Sequence, residues 1–158
     1  MLVDGTITPC WSYEDHPGPW SRKHATTGFN AQLLSLLDGT PVCISDPLPG
    51  KTHDAKAFTH TPIQEIVKHS GGAIANKGYQ GHVAAVPEKT PPGGELSPND
   101  KKCNAEISAL RAPVERVIAH FKSWRIFPTD HRCPHRTYDD AHDATRGLFL
   151  FSLTGGFE

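Results

Sequence analysis

The run Thr26 to Leu37, followed by Asp38-Gly39 and the returning run Pro41 to Ser45, constrains this chain more than any other feature. The first run is rich in β-branched and apolar residues. Asp-Gly after it is a strong signal for a tight hairpin, because that turn needs backbone conformations that Asp and Gly tolerate. Leu2 to Ile7 reads as a further short strand, so three antiparallel strands are predicted near the start.

Beyond Ser45 the pattern changes. Pro47 to Gly50 reads as a turn. His53 to Ser70 is a helical candidate with Phe58, Ile63, Ile66 and Val67 as its apolar positions; Pro62 opens its better half and Gly71-Gly72 ends it. Ala73 to Ala75 is a short strand leading into Asn76-Lys77-Gly78-Tyr79, and Val83 to Val86 reads as another. Thr90 to Asp100, rich in Pro and Gly, is expected to be a loop. Asn104 to Trp124 is the longest helical pattern, with Ile107, Leu110, Val114, Val117, Ile118 and Phe121 at helical spacing. Pro113 predicts either a kink or a helix that begins near Ala112. Tyr138 to Leu153 is a final helix, its start marked by Asp139, Asp140 and Asp143. Hairpins followed by alternating helix and strand predict an α/β fold, a mixed sheet covered by helices. No internal repeat or long linker interrupts 158 residues, which suits one domain.

Other classes are excluded more briefly. No apolar run is long enough for a membrane span. The start, MLVDGTITPC, has neither the basic residues nor the apolar stretch of a signal peptide. Cys10, Cys43, Cys103 and Cys133 form no CxxC pair and read as reduced thiols of a cytoplasmic protein. The polar, Pro-rich segment from Tyr13 to Pro19 and the basic pair Arg22-Lys23 read as loop. A net charge of −1 does not mark a general nucleic-acid binder. Its distribution is less even: residues 101–136 hold eight Lys and Arg against three acids. That stretch could face a phosphate backbone or be an ordinary solvated helix face.

Two acids stand out. Asp4 lies inside an apolar strand, where a carboxylate is costly unless a metal, a buried salt bridge or a capped backbone compensates it. Glu115 lies on the long helix, four residues after Arg111 and seven before Lys122, so the three share a face. Arg111 and Glu115 alone would be an ordinary helix ion pair. Asp54 opens the first helix, where N-capping or a surrogate ligand role would explain it.

In order, VDGT at Asp4, PGKTHDAKAF, ANKGYQG at Asn76 and the R-x3-E-x6-K pattern at Arg111, Glu115 and Lys122, within VERVIAHFKSWRIF, resemble the DDE transposases of bacterial insertion sequences. The similarity is to the DDE superfamily endonuclease branch that includes Harbinger-like transposases, and runs from about Leu2 to Phe127. The resemblance implies a ribonuclease H-like fold, with acids on the first strand, after the fourth strand and on a later helix. It implies metal-dependent DNA strand cleavage and transfer at insertion-sequence ends. Asp4, Asn76 and Glu115 would be the catalytic and metal-binding set for two Mg²⁺ or Mn²⁺ ions. Two such ions clamp an in-line phosphoryl displacement. Arg111 and Lys122 would contact DNA phosphate; Lys77 and Tyr79 would touch DNA or orient their loop. The partners implied are transposon ends and target DNA, with a homodimer as one assembly open to it and no membrane.

The departures matter. The family has Asp where this chain has Asn76, and an amide brings an oxygen but no charge. Weakened metal binding and reduced catalysis are expected. Ser108 stands where related transposases often have Tyr. The sequence also reads as a catalytic domain without the helix-turn-helix segment that usually precedes it. Two alternatives accompany the enzyme: a catalytically inactive transposase remnant, and a small zinc-binding module around His131, Cys133 and His135, with Cys103 or His142 as the candidate fourth ligand.

Overall fold

The computed structural model of the chain describes residues 1–11, 20–21, 25–127, 129, 131–132, 134 and 136–153. The segment 13–19, the pair Arg22-Lys23, and Cys133 and His135 of the zinc alternative lie outside the described residues.

Strand β3 (Thr26–Ser35) is the spine. Strand β1 (Leu2–Pro9) runs antiparallel to it in continuous register, Leu2 opposite Ser35 and Pro9 opposite Gly28. β2 (Trp20–Ser21), β4 (Pro41–Ile44) and β5 (Leu48–Pro49) also pair with β3, all antiparallel. The predicted hairpin forms, but β3 stops two residues early. Gly39 adopts φ +95°, and the Thr40 N–H donates to Asp38 Oδ1 at 2.8 Å. The predicted turn at Pro47 to Gly50 contains the short strand β5, drawn in by its pairing with Phe29 and Asn30.

On the far side of β1 the chain returns in parallel. Ile74 bridges Leu2 on one side and Ala85 on the other, through bonds such as Val3 N–H to Ile74 O at 3.0 Å. Ala73 to Ala75 and Val83 to Val86 therefore supply single bridges, not strands. Their Gly-flanked segments are too short to sustain a ladder.

Helices cover both faces. The first helical candidate divides into α1 (Asp54–Thr59) and α2 (Ile63–His69). Pro62 accounts for the break, because its ring restricts the residue before it and it has no N–H to continue α1. Val3 and Leu34 pack there with Phe58, Ile63, Val67 and Tyr79. The opposite face carries Leu2, Leu33 and Ile44 under α3 (Pro98–Lys122) and α4 (Arg136–Leu153), with Val114, Phe121, Phe127 and Phe149. Successive strand residues point to opposite faces, so two separate cores follow from one alternating strand.

Helix α3 begins six residues before the sequence pattern suggested. Ser97 caps it by accepting from the Asp100 N–H at 3.1 Å, and Pro98 fits the first turn. The helix also runs unbroken through Pro113. The carbonyl Pro113 leaves without a donor is that of Ala109, an exposed residue where water can satisfy it. Among the described residues no helix is long and apolar enough to cross a membrane.

Candidate active site

The parallel bridge between Leu2 and Ile74 sets the site. Two residues on from each, Asp4 and Asn76 come level, just where the Asn76 chain peels away from the sheet. The Asn76 side-chain amide donates to Asp4 Oδ1 at 2.7 Å, and the Gly5 N–H donates to the same oxygen at 2.9 Å. Asn76 in turn opens a 3-10 turn at Lys77–Tyr79, its Oδ1 accepting from the Gly78 N–H at 2.7 Å. Asn76 is therefore held at both ends of its amide.

Arg111 reaches Asp4 from α3. Its guanidinium donates to Asp4 Oδ2 at 2.7 Å, and both side chains are nearly buried. The same guanidinium lies 3.5 Å from Glu115 Oε1 across one helical turn. Pro113 leaves the shared face of Arg111 and Glu115 intact, because the helix stays regular. Arg111 Nε is buried and has no acceptor among the described residues. Burial pushes the Asp4 carboxyl above its ordinary value; Arg111 opposes that, while the charge of Asp54 adds to it.

The remaining predicted residues are placed as follows. Glu115 is exposed and is linked to Asp4 through Arg111. Lys122 is half-buried at the last residue of α3, about 10 Å further along the helix axis than Glu115. Lys77 is exposed. Tyr79 has no exposed surface, and its hydroxyl donates to Gln32 Oε1. The buried ring therefore offers no surface for a partner to touch. Burial pushes its hydroxyl well above the ordinary range, the nearby Asp54 and Asp4 reinforcing the effect.

Sequence reasoning missed a polar chain beneath the site. Gln32 and Asn30 lie two apart on β3, so they share a face. Gln32 Nε2 donates to Asn30 Oδ1 at 2.9 Å, and Asn30 Nδ2 donates to Asp54 Oδ1 at 3.2 Å and to Thr52 O at 2.9 Å. With Tyr79 this forms one line of hydrogen bonds ending on a carboxylate. The signal was present: two amides inside an otherwise apolar strand need partners.

Asp54 differs from the expectation of an N-cap. His53 holds the cap position and makes no side-chain cap bond; Asp54 is the first residue of α1 and is buried. It turns inward because Asn30 offers a donor there. Among the described residues no three His, Cys, Asp or Glu side chains are grouped to hold one ion. Asp4, Asp54 and Glu115 thus flank the centre without closing on a common point.

Comparison with known proteins agrees with this ordering of residues. A family model described as DDE superfamily endonuclease matches residues 3–149. The chain is 30% identical over 111 residues to the probable transposase for insertion sequence element IS702 of Microchaete diplosiphon, covering 66% of this chain and 39% of that protein. It is also 30% identical over 128 residues to the putative transposase for insertion sequence element IS112 of Streptomyces albus G, covering 80% of this chain and 48% of that protein. The chain therefore spans less than half the length of either curated relative. No solved structure matches it.

Proposed function

The chain belongs to the DDE superfamily endonucleases, among the transposases of insertion sequences, and on that premise we propose that it is a transposase catalytic core for DNA strand cleavage and transfer at element ends, attenuated by Asn76. The observation that carries this reading is the hydrogen-bonded convergence of Asp4, Asn76 and Arg111, with Glu115 one turn beyond. We read the sheet with its helices as a single ribonuclease H-like domain.

The donors at this centre are carboxylate and carboxamide oxygens. They suit a hard cation such as Mg²⁺ or Mn²⁺, which is commonly held by one or two carboxylates, waters and substrate phosphate. Asp4, Asn76 and Glu115 would hold it. When bound, it would lower the pKa of the attacking water and stabilise the leaving oxygen.

The chain's own residues do the rest. Asp4 sits on a strand covered on both faces, and its carboxylate is held by Arg111 and by the Gly5 and Asn76 N–H groups. Arg111 carries positive charge to that carboxylate and has a buried donor to spare, which a DNA phosphate oxygen would satisfy. Lys122 and exposed Lys77 would hold the backbone on either side. Asn76 supplies no charge. In the geometry seen it turns its amide hydrogens, not its oxygen, toward Asp4.

That orientation also favours a second reading, a folded transposase relative that binds DNA without cutting it. Nicking of supercoiled plasmid carrying element ends, with Mn²⁺, separates the two. Slow nicking is expected of the natural chain, with a rise of about a hundredfold or more in Asn76→Asp, the scale of one lost electrostatic contact to a transition state. Equal rates in the two proteins would overturn the role given to Asn76; no nicking by either would leave the binding-only reading.

A further inference from the structure

Gln32 sits opposite Gly5 on β3 and has no exposed surface. It lies on the face of the sheet away from Asp4. Asp4 shares its face with Leu2, under α3; Gly5 and Gln32 share theirs with Val3 and Leu34, under α1 and α2. A buried amide there needs hydrogen-bond partners. Both of its polar atoms have one: Oε1 accepts from the Tyr79 hydroxyl, and Nε2 donates to Asn30 Oδ1 at 2.9 Å. Gly5 leaves the room in which these groups meet. A Cβ there would lie 2.8 Å from Gln32 Nε2, 2.6 Å from Asp54 Oδ1 and 3.2 Å from the Tyr79 hydroxyl oxygen.

The turn from Asn76 to Tyr79 therefore has its two ends on different faces of the sheet. Asn76 meets Asp4 on the α3 face, and Tyr79, three residues later, meets Gln32 on the other. Between them the turn is closed by the Gly78 N–H on Asn76 Oδ1 at 2.7 Å and by the Tyr79 N–H on Asn76 O at 3.1 Å. Asn76 is only half-buried, so water can replace the bonds of its carboxamide. The Tyr79 hydroxyl has no such substitute: it is buried with Gln32 as its acceptor, and leaving it unpaired there is costly. The firm end of the turn is the Tyr79 end.

We propose that Gln32 is a positioning residue for position 76. It acts through Tyr79: by fixing the far end of the turn on one face of the sheet, it sets the carboxamide against Asp4 on the other. Asn30 keeps Gln32 in the orientation this requires. Asn30 Nδ2 donates to Asp54 Oδ1 and to Thr52 O, which leaves Asn30 Oδ1 for the Gln32 amide hydrogens and turns the Gln32 oxygen to Tyr79. This deepens the function proposed above, and its bearing on catalysis rests on that reading of position 76.

The test follows the Asn76 side-chain amide signals and the exchange of the Gly78 N–H by NMR in the natural chain, Gln32→Met, Tyr79→Phe, their combination and Ile63→Val. Gln32→Met and Tyr79→Phe are each expected to move the Asn76 side-chain signals toward those of a free amide. Each is also expected to speed Gly78 exchange about tenfold, the scale of one hydrogen bond. Combining them should add little, because both remove the same link. Ile63→Val loosens the core on that face without touching the polar line, and is expected to leave the Asn76 signals in place. Unmoved Asn76 signals in Gln32→Met, or an equal movement in Ile63→Val, would overturn the proposal. The natural chain gives a measurement that does not depend on whether a variant folds. Its Gly78 and Tyr79 amides are expected to exchange through one shared opening across a urea series; a Gly78 that opens while Tyr79 stays protected would overturn the proposal too. Plasmid nicking with Mn²⁺ keeps this apart from the function proposed above. If the Asn76 signals move but neither the natural chain nor Asn76→Asp nicks DNA, the positioning stands and the strand-cleavage reading falls. If Asn76→Asp nicks as fast with Gln32→Met as without it, the reverse holds.

Discussion

At the scale of single residues, Asp4 is the pivot of the site. Its burial in an apolar strand was legible in the sequence as a cost needing compensation. The compensation is Arg111, which reaches it at 2.7 Å, together with two N–H donors. Removing one partner of a buried pair leaves the other charged and unsolvated, which costs more than removing both. Arg111→Met is therefore expected to destabilise the fold by about 3 kcal/mol, and Asp4→Asn in the same chain to recover part of that loss. Urea unfolding of the two single variants and the double variant checks this. Strict additivity would show that the pair does not act as a unit. Asp54 was less legible. An acid at the start of a helix is explained locally by the helix terminus, and nothing in the local sequence reveals that Asn30, twenty-four residues earlier, turns it inward.

At the scale of elements, the hairpin at Asp38-Gly39 could be read because its turn chemistry is local. The prolines could not be read so directly. Pro62 divides one predicted helix into two, whereas Pro113 sits inside an unbroken one. The difference is tertiary. Arg111, buried and paired with Asp4, holds α3 before Pro113, Val114 and Phe121 hold it after, and Ala109, whose carbonyl loses its donor, is an exposed residue. Helix α4 makes a further prediction through His142, which has no exposed surface, packs against Phe121 and Phe127, and has no hydrogen-bond partner for either ring nitrogen among the described residues. Asp143 lies 3.8 Å from its Nδ1, too far for a hydrogen bond. Burial, with the charge of Arg146, pushes the imidazole from 6.5 down to about 4. The unfolded chain therefore takes up this proton first. Its contribution to stability is complete above pH 6.5 and declines as pH falls toward 4, by at most about 3 kcal/mol. Thermal melts across that range should show the decline, and His142→Phe should flatten it. Equal slopes in both proteins would contradict the assignment.

At the scale of the whole molecule, the two faces of one sheet carry two cores, and the candidate site lies between them at the point where the Asn76 segment leaves β1. The mixed α/β architecture was legible from the order of periodicities. The parallel return of Ile74 beside Leu2 was not, since a three-residue run of small residues carries no pairing signal of its own. That return aligns Asp4 with Asn76, so the site depends on the least legible part of the sheet. Phe121 shows how far the core supports the site: it is fully buried against Phe127 and Phe149 and anchors the helix that carries Arg111 and Glu115. Phe121→Ala is expected to cost about 3–5 kcal/mol, read from chemical denaturation, and to weaken any Mn²⁺ binding with it. The most direct measurement of the central claim is anomalous diffraction from crystals of Asn76→Asp grown with Mn²⁺. A peak is expected within bonding distance of Asp4 and of the substituted position 76. A peak elsewhere on the molecule, or none beside Asp4 at saturating Mn²⁺, would contradict it.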